Sequence, residues 1–280
     1  MVSLYTVEGI YRKAVELLEK GKRFALASVI GVEGSAPRGT TAKMIVTEDG
    51  EVYGSIGGGC IENYVIKEAE KVLKDGKLRI IKLDLGDDSW SGIGMACGGK
   101  VELAVELVEP QPRLILLGAG HLGRTMARLA EFLGFDVIVI DPLAKPEDFP
   151  MAEKVLQTGY AEGLSKITVK PTDNIVILTR HHADEEALMA AIETSAQYVG
   201  MIGSRNRVRM VFQELVEKGV SKEKLMRVYA PVGLDIGAET PEEISLSILA
   251  EILKVRRKAG GGHKKLEAIE EPMVKVEKTK

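Results

Sequence analysis

The chain is short of cysteine, carries no long apolar run and has almost no net charge. Each shortage closes off a class of protein. Two cysteines in 280 residues, Cys60 and Cys97, cannot build a disulfide framework, and a reduced, cytoplasmic setting is expected. No apolar stretch approaches the roughly 18 residues of a membrane-spanning helix, so no membrane span is expected. Met1 to Gly9 lacks the basic-then-apolar pattern of a secretion signal. The net charge of −3, from 38 basic and 41 acidic residues, leaves no global basic field for nucleic acid. Two distant cysteines are also nothing like a zinc site, which takes four close ligands, so no metal site is assigned.

What remains is a chain that is 45% hydrophobic, enough for two ordinary domains. Pro110 and Pro112 mark the division, since neither can donate to a sheet ladder and both stiffen a linker. Residues 1–110 mix amphipathic helix with strands and hairpin signals, which reads as an α+β domain. Residues 111–257 alternate strand and helix, which reads as a parallel, Rossmann-like sheet. Residues 258–280 turn to Lys, Gly and Glu and read as a disordered tail. The fold class is therefore α/β, with a C-terminal Rossmann-like domain behind an N-terminal α+β domain.

The densest signal runs from Arg113 to Asp141. An apolar strand leads into Gly118, Gly120 and Gly123 at G-x-G-x-x-G spacing, with His121 and Leu122 inside the motif. Met126, Leu129, Ala130 and Leu133 recur at helical spacing, and a second apolar strand closes on Asp141. Gly118 suits a tight turn, Gly120 a close approach of backbone to pyrophosphate, and Gly123 close helix packing. The helix N-terminus offers free N–H groups to phosphate. Asp141 stands where an acid bonds a ribose hydroxyl. The pattern predicts a dinucleotide-type fold, with NAD(P) as a candidate ligand, although such a fold also serves as a bare scaffold.

Three further stretches carry candidate chemistry. In the first, Gly57, Gly58 and Gly59 precede Cys60 at the start of a helix, where a thiol is expected to gain thiolate character. Glu62, in the first turn, opposes that effect. Cys97 has a similar frame, with Gly98 and Gly99 behind it. Thiolates suit soft metals and sulfur transfer, and the alternative is two small buried hydrophobes. In the second, Arg38 sits beside Gly39 and Thr40 with Lys43 near, an anion seat or else a plain surface turn. The third lies beyond the carboxyl ends of the parallel strands, where such sheets bind ligands. There Thr179, His181, His182 and Asp184 follow one strand, and Gly203, Ser204, Arg205 and Arg207 follow the next. The histidines are acid–base or contact candidates, Asp184 can instead cap its helix, and Ser204 with the arginines reads as a phosphate seat or a solvated helix face.

Taken together, several blocks resemble the XdhC/CoxI family. G-S-A-P-R at Gly34–Arg38, G-S-I-G-G-G-C-I-E ending at Glu62, and A-C-G-G at Ala96–Gly99 look like its N-terminal half. L-G-A-G-H at Leu117–His121, R-H-H-A-D at Arg180–Asp184, Y-V-G-M-I-G-S-R at Tyr198–Arg205 and P-V-G-L-D-I-G-A-E-T-P-E-E-I at Pro231–Ile244 look like its Rossmann half. The resemblance implies a maturation factor that binds molybdenum cofactor (molybdopterin), supports its sulfuration and hands it to a client molybdenum hydroxylase such as xanthine dehydrogenase. It implies a cysteine desulfurase as a further partner. Carried over by motif, Cys60, Cys97 and Glu62 become the chemistry-bearing residues, and Gly118 to Gly123 with Asp141 the nucleotide seat. Leu143 departs from the pattern, since a basic residue is expected soon after the acid. The competing class is an NAD(P)-dependent oxidoreductase; a redox-sensing regulator ranks last, for want of a DNA-binding signature. A homodimer is expected on the general frequency of two-fold oligomers. A nucleotide in the Rossmann half is expected to report or gate closure of the two domains.

Overall fold

The computed structural model describes residues 6–34, 39–85, 99–179 and 183–263, without the side chain of Cys60. Its first half is an antiparallel sheet with one helix on each face. The helices are α1 (Val7–Glu19) and α2 (Gly59–Asp75). The strands are β1 (Phe24–Glu33), β2 (Lys43–Thr47), β3 (Val52–Ser55), β4 (Arg79–Asp84) and β5 (Lys100–Val108), in the spatial order β3-β2-β1-β5-β4.

Alternation along the strands decides which helix each face receives. Ala25, Ala27, Val29, Leu103 and Val105 meet Ile61, Val65, Ala69 and Val72 of α2, whose spacing sets one apolar stripe on that face. Phe24, Leu26 and Ile45 meet Ile10 and Leu17 of α1. Each fully buried aliphatic side chain here contributes about 2 kcal/mol. The register of β1 against β5 slips between Val29 and Gly31, and Ile30 at the slip is left 49% exposed.

The second half is a parallel sheet. Its strands are β6 (Arg113–Leu117), β7 (Asp136–Ile140), β8 (Lys154–Leu156), β9 (Asn174–Ile177) and β10 (Tyr198–Met201), in the order β10-β9-β6-β7-β8. The order reverses between β6 and β9, which is the switch point where such sheets open a crevice. Its helices are α3 (His121–Phe132), α4 (Tyr160–Ser165), α5 (Asp184–Ile192), α6 (Arg205–Glu217), α7 (Lys222–Leu225) and α8 (Pro241–Arg256). Leu114, Leu116, Val137 and Val139 face α3 and α8, while Ile115, Leu117, Ile138 and Ile140 face α4, α5 and α6. Burial on both faces explains why these strands are continuously apolar. Thr240 and Glu243 form a capping box at the start of α8, with Pro241 at the first helical position. Helices α4 and α7 are too short to show a period in the sequence.

The two halves meet around Glu109. Its carboxylate stands 3.1 Å from Arg23 and 3.1 Å from Arg257. Pro112, Thr172 and Gln197, which precede β6, β9 and β10, line a narrow cleft with Arg23 and Pro110. A Cβ at Gly21 would lie 2.8 Å from that of Lys170. The contact therefore joins the start of β1 and the end of β5 to the amino edge of the parallel sheet. No helix or strand of one half packs along an element of the other among the described residues.

Candidate functional site

Strand direction gathers the first set of candidates. In the antiparallel sheet, β1, β3 and β4 end where β2 and β5 begin. Ser28 pairs with Lys43, Lys43 with Ser55, and Lys100 with both Glu33 and Asp84. Leu85 N–H donates to the Gly99 carbonyl at 2.8 Å. The three connections singled out by sequence thus leave one end of the sheet: the G-S-A-P-R-G-T-T stretch after β1, the glycine run after β3, and the connection from β4 to β5. Ser35 to Arg38, including the anion candidate Arg38, lie outside the described residues. So do residues 86–98, with Cys97 and Gly98.

The glycine run is held open by an acid. Gly58 has φ of +111°, in the region that side chains avoid, and a Cβ at Gly58 or Gly59 would meet nothing within 4 Å. Gly57 is likewise at positive φ. Glu62 Oε1 accepts from the Ser55 hydroxyl at 2.6 Å and from Gly58 N–H at 3.3 Å. Its carboxylate ties the end of β3 to the glycine run. Cys60 is the second residue of α2, between Gly58 and Glu62 in the chain.

Beside the run lies a cleft of about 260 Å³, lined by Thr6, Val7, Ile10, Gly39, Thr41, Ala42, Lys43 and Ser55. Lys43 is its cation. Lys43 Nζ donates to Ser28 Oγ at 2.9 Å and stands 5.7 Å from the Tyr11 ring centre. No carboxylate pairs with it among the described residues, whereas Lys13, Lys22, Lys82 and Lys100 all have one. An uncompensated, half-buried ammonium among hydroxyls is suited to a phosphate or similar oxyanion.

The carboxyl edge of the parallel sheet holds the second set. Gly118, Gly120 and Gly123 have three different environments. A Cβ at Gly118 would lie 2.6 Å from the Leu178 carbonyl, and one at Gly123 would lie 2.4 Å from the Gly118 carbonyl. A Cβ at Gly120 would meet nothing within 4 Å. Two glycines therefore close the protein on itself, and the third leaves the surface that a ligand backbone approaches. Gly120 caps α3 without a side-chain hydrogen bond, no acid lies in the first turn, and His121 is exposed beside half-buried Leu122. The first-turn N–H groups are thus left for an anion.

Asp141 is already in use at this edge. Its carboxylate accepts from Ala119 N–H at 2.9 Å, from Leu143 N–H at 2.7 Å, and from the Tyr160 hydroxyl at 3.3 Å. It fastens the glycine loop and retains one acceptor direction for a ribose hydroxyl. Burial and the Asp141 charge push the Tyr160 hydroxyl far above its usual range, so it stays a donor. Sequence reasoning missed Tyr160, because six-residue α4 gives no periodic signal.

Further along the edge, the Thr179 hydroxyl donates to Asp184, which is buried and also pairs with Arg207 Nε at 3.0 Å. Asp184 joins the end of β9 to α6. Ser204 caps α6 by accepting from Arg207 N–H at 3.2 Å, Gly203 precedes it, and Arg205 is exposed on the first turn. His181 and His182 lie outside the described residues. A buried tyrosine, Tyr198, donates to Glu251 at 2.5 Å, and Gly233 N–H donates to the same oxygen at 3.1 Å. This pair, invisible to local pattern, anchors the P-V-G-L-D segment at the same edge.

Residues 114–252 match the XdhC Rossmann domain, and residues 17–84 match the XdhC and CoxI family. The chain belongs to the XdhC and CoxI family. It is 38% identical over 257 residues to the uncharacterized protein YqeB of Escherichia coli (strain K12), covering 90% of this chain and 47% of that one. The chain thus spans about half the length of this relative. It is 30% identical over 280 residues to the molybdenum cofactor insertion chaperone PaoD of the same organism, covering 88% of each. Identity to a probable xanthine dehydrogenase subunit of Bacillus subtilis (strain 168) is 26% over 324 residues, covering 86% of this chain and 96% of that one. The family match accounts for why glycine loops and a Rossmann edge occur in one chain. Among the described residues, no helix is long and apolar enough to cross a membrane, and no cluster of side chains has the make-up of a metal site.

Proposed function

We propose that the chain is a maturation factor that binds molybdenum cofactor, supports its sulfuration and delivers it to a client hydroxylase of the xanthine dehydrogenase type. The observation that carries this reading is the convergence of three glycine-bearing connections on one end of the antiparallel sheet, beside an uncompensated Lys43. Support also comes from similarity to a relative named as an insertion chaperone for this cofactor.

The residues present suit such a cargo. The phosphate end would lie against Lys43 and the open backbone at Gly59, beside the Gly58 N–H that Glu62 holds. Cys60, between Gly58 and Glu62 in the chain, is the first thiol candidate for the sulfur-bearing end, and Cys97 is the second. Glu62 acts as a positioning residue here, since its carboxylate holds Ser55 and the run in place. Sulfur would reach the site from a cysteine desulfurase, the enzyme class that generates transferable sulfur. NAD(P) is the nucleotide assigned to the carboxyl edge, with Gly118, Gly120, Gly123 and Asp141 holding it. Turnover with that nucleotide would favour the competing oxidoreductase reading.

Mass spectrometry and metal analysis of protein purified without oxygen test the proposal. Molybdopterin at near-stoichiometric amounts is expected. Cys60→Ser should fold normally and abolish maturation of the client. Unchanged client activity would remove Cys60 from the mechanism.

A further inference from the structure

The cleft between the two halves holds more positive charge than the contact there uses. Arg23 precedes β1, Arg256 ends α8 and Arg257 follows it, and all three line the cleft. Glu109 is the one carboxylate among its described lining residues. One of its oxygens is 3.1 Å from Arg23 and the other 3.1 Å from Arg257. A second acid, Glu48, stands 3.6 Å from Arg23 on the exposed side. Asp173, next to the lining residue Thr172, is taken up by Arg113 and by the Lys170 N–H. Three guanidinium groups thus share one half-buried carboxylate.

Two of the three are left short of acceptors. Arg23 Nε is buried and makes no hydrogen bond among the described residues, although Glu109 lies close. Another nitrogen of the same group donates to the Leu73 carbonyl at 3.1 Å. Arg256 is half-buried, stands 5.4 Å from the Phe135 ring centre, and has no carboxylate partner among the described residues. Burial, with Arg257 and Arg23 near, pushes its guanidinium below the usual range. The dipole at the end of α8 favours cations there, but it does not account for a buried donor without an acceptor. Such donors are uncommon and mark the place of a ligand or a water. The cleft measures about 30 Å³, room for one compact ion and too little for a nucleotide.

We infer that this cleft is an oxyanion site that takes one free phosphate ion, held by Arg23 from the first half and by Arg256 and Arg257 from the second. Guanidinium groups bind tetrahedral oxyanions through paired N–H donors. The phosphate supplies an acceptor for Arg23 Nε and the counter-charge that Arg256 lacks. Its ligands come from both halves, so a bound phosphate fixes the halves against each other beside the Pro110–Pro112 link. Phosphate concentration then sets how firmly they are joined. The site is separate from the cofactor reading, which uses Lys43 and the carboxyl edge of the parallel sheet.

Calorimetric titration of the full chain with inorganic phosphate tests this, with sodium chloride holding the ionic strength constant, since added salt screens charge by itself. A saturable phosphate site is expected that survives Lys43→Met and Arg205→Gln, which remove the other anion candidates. Arg256→Gln should weaken it about tenfold, as loss of a charged hydrogen-bond donor does. Glu109→Gln should tighten it several-fold, because it removes the carboxylate that repels the anion. The two variants have opposite signs, so misfolding cannot imitate the pair. The melting temperature of the unaltered chain should rise with phosphate and level off as the site fills, and the rise should vanish in Arg256→Gln. Unchanged affinity in Arg256→Gln, or weaker binding in Glu109→Gln, would overturn the inference. Loss of the site in Lys43→Met would move the anion to the glycine-bearing end and also overturn it. AMP that displaces phosphate from the Arg256-dependent site and binds more tightly would make the source a nucleotide, against the free ion assigned here.

Discussion

The antiparallel and parallel halves build their candidate sites in opposite ways. At the carboxyl edge of the parallel sheet, residues drawn from separate strands and helices are locked together by close buried contacts. Gly118 is pressed on the Leu178 carbonyl, Asp141 holds Ala119 N–H, and buried Asp184 ties β9 to α6. At the end of the antiparallel sheet, Gly39, Lys43, Ser55 and Gly58 come from separate segments. Their links are fewer, and the clasp by Glu62 is the main one. The edge locked by buried contacts is stiff, and substitution there costs stability. The loosely linked end tolerates substitution in stability and fails in function.

The largest effect expected from this contrast is at the buried pair. Arg207→Met would leave the Asp184 carboxylate buried beside Thr179 without its cation, at a cost of about 3 kcal/mol. Urea unfolding would measure it, and a loss below about 1 kcal/mol would show that the edge is less rigid than the contacts indicate.

The glycines sharpen the same point. Gly118→Ala and Gly123→Ala place a methyl group within 2.6 Å of a backbone carbonyl, and each should destabilise by about 2 kcal/mol. Gly120→Ala enters open space at a negative φ of −68° and should change stability by less than about 0.5 kcal/mol. Its effect should fall on nucleotide affinity, read by calorimetric titration with NAD and NADP. Equal destabilisation at all three positions would contradict the assigned roles.

A stability change smaller than at the buried pair or at Gly118 and Gly123 is expected in the other half. Glu62→Ala removes two acceptor contacts from a half-buried position, a loss of about 1 kcal/mol, yet client maturation should fall sharply as the glycine run loses its clasp. Glu62→Gln keeps an acceptor for Ser55 and should recover part of the activity. Activity following stability in both variants would make Glu62 merely structural.

Much of the fold was legible in local pattern. β6 has the bounds read from its apolar run, Gly134 ends the helix region after α3 at φ of +78°, and Thr240 with Glu243 forms its capping box. Each depends on a few neighbouring residues and their backbone preferences. Tyr160, Leu178 and Glu251 were not legible as site supports. Their partners Asp141, Gly118 and Tyr198 lie tens of residues away in the chain, and no local period records such a pairing. Glu62 shows both sides. Its place in the first turn of a helix was readable, whereas its contact with Ser55, on the preceding strand, was not.

By itself, then, the sequence determined the two classes of sheet, the glycine spacing and the helix boundaries, because side-chain period and backbone freedom act over a few residues. Tertiary structure alone decided that three distant connections share one end, and that the two halves meet around Glu109. Strand direction, register and the Glu109 contact set those relations, and each of them joins residues that chain order keeps apart.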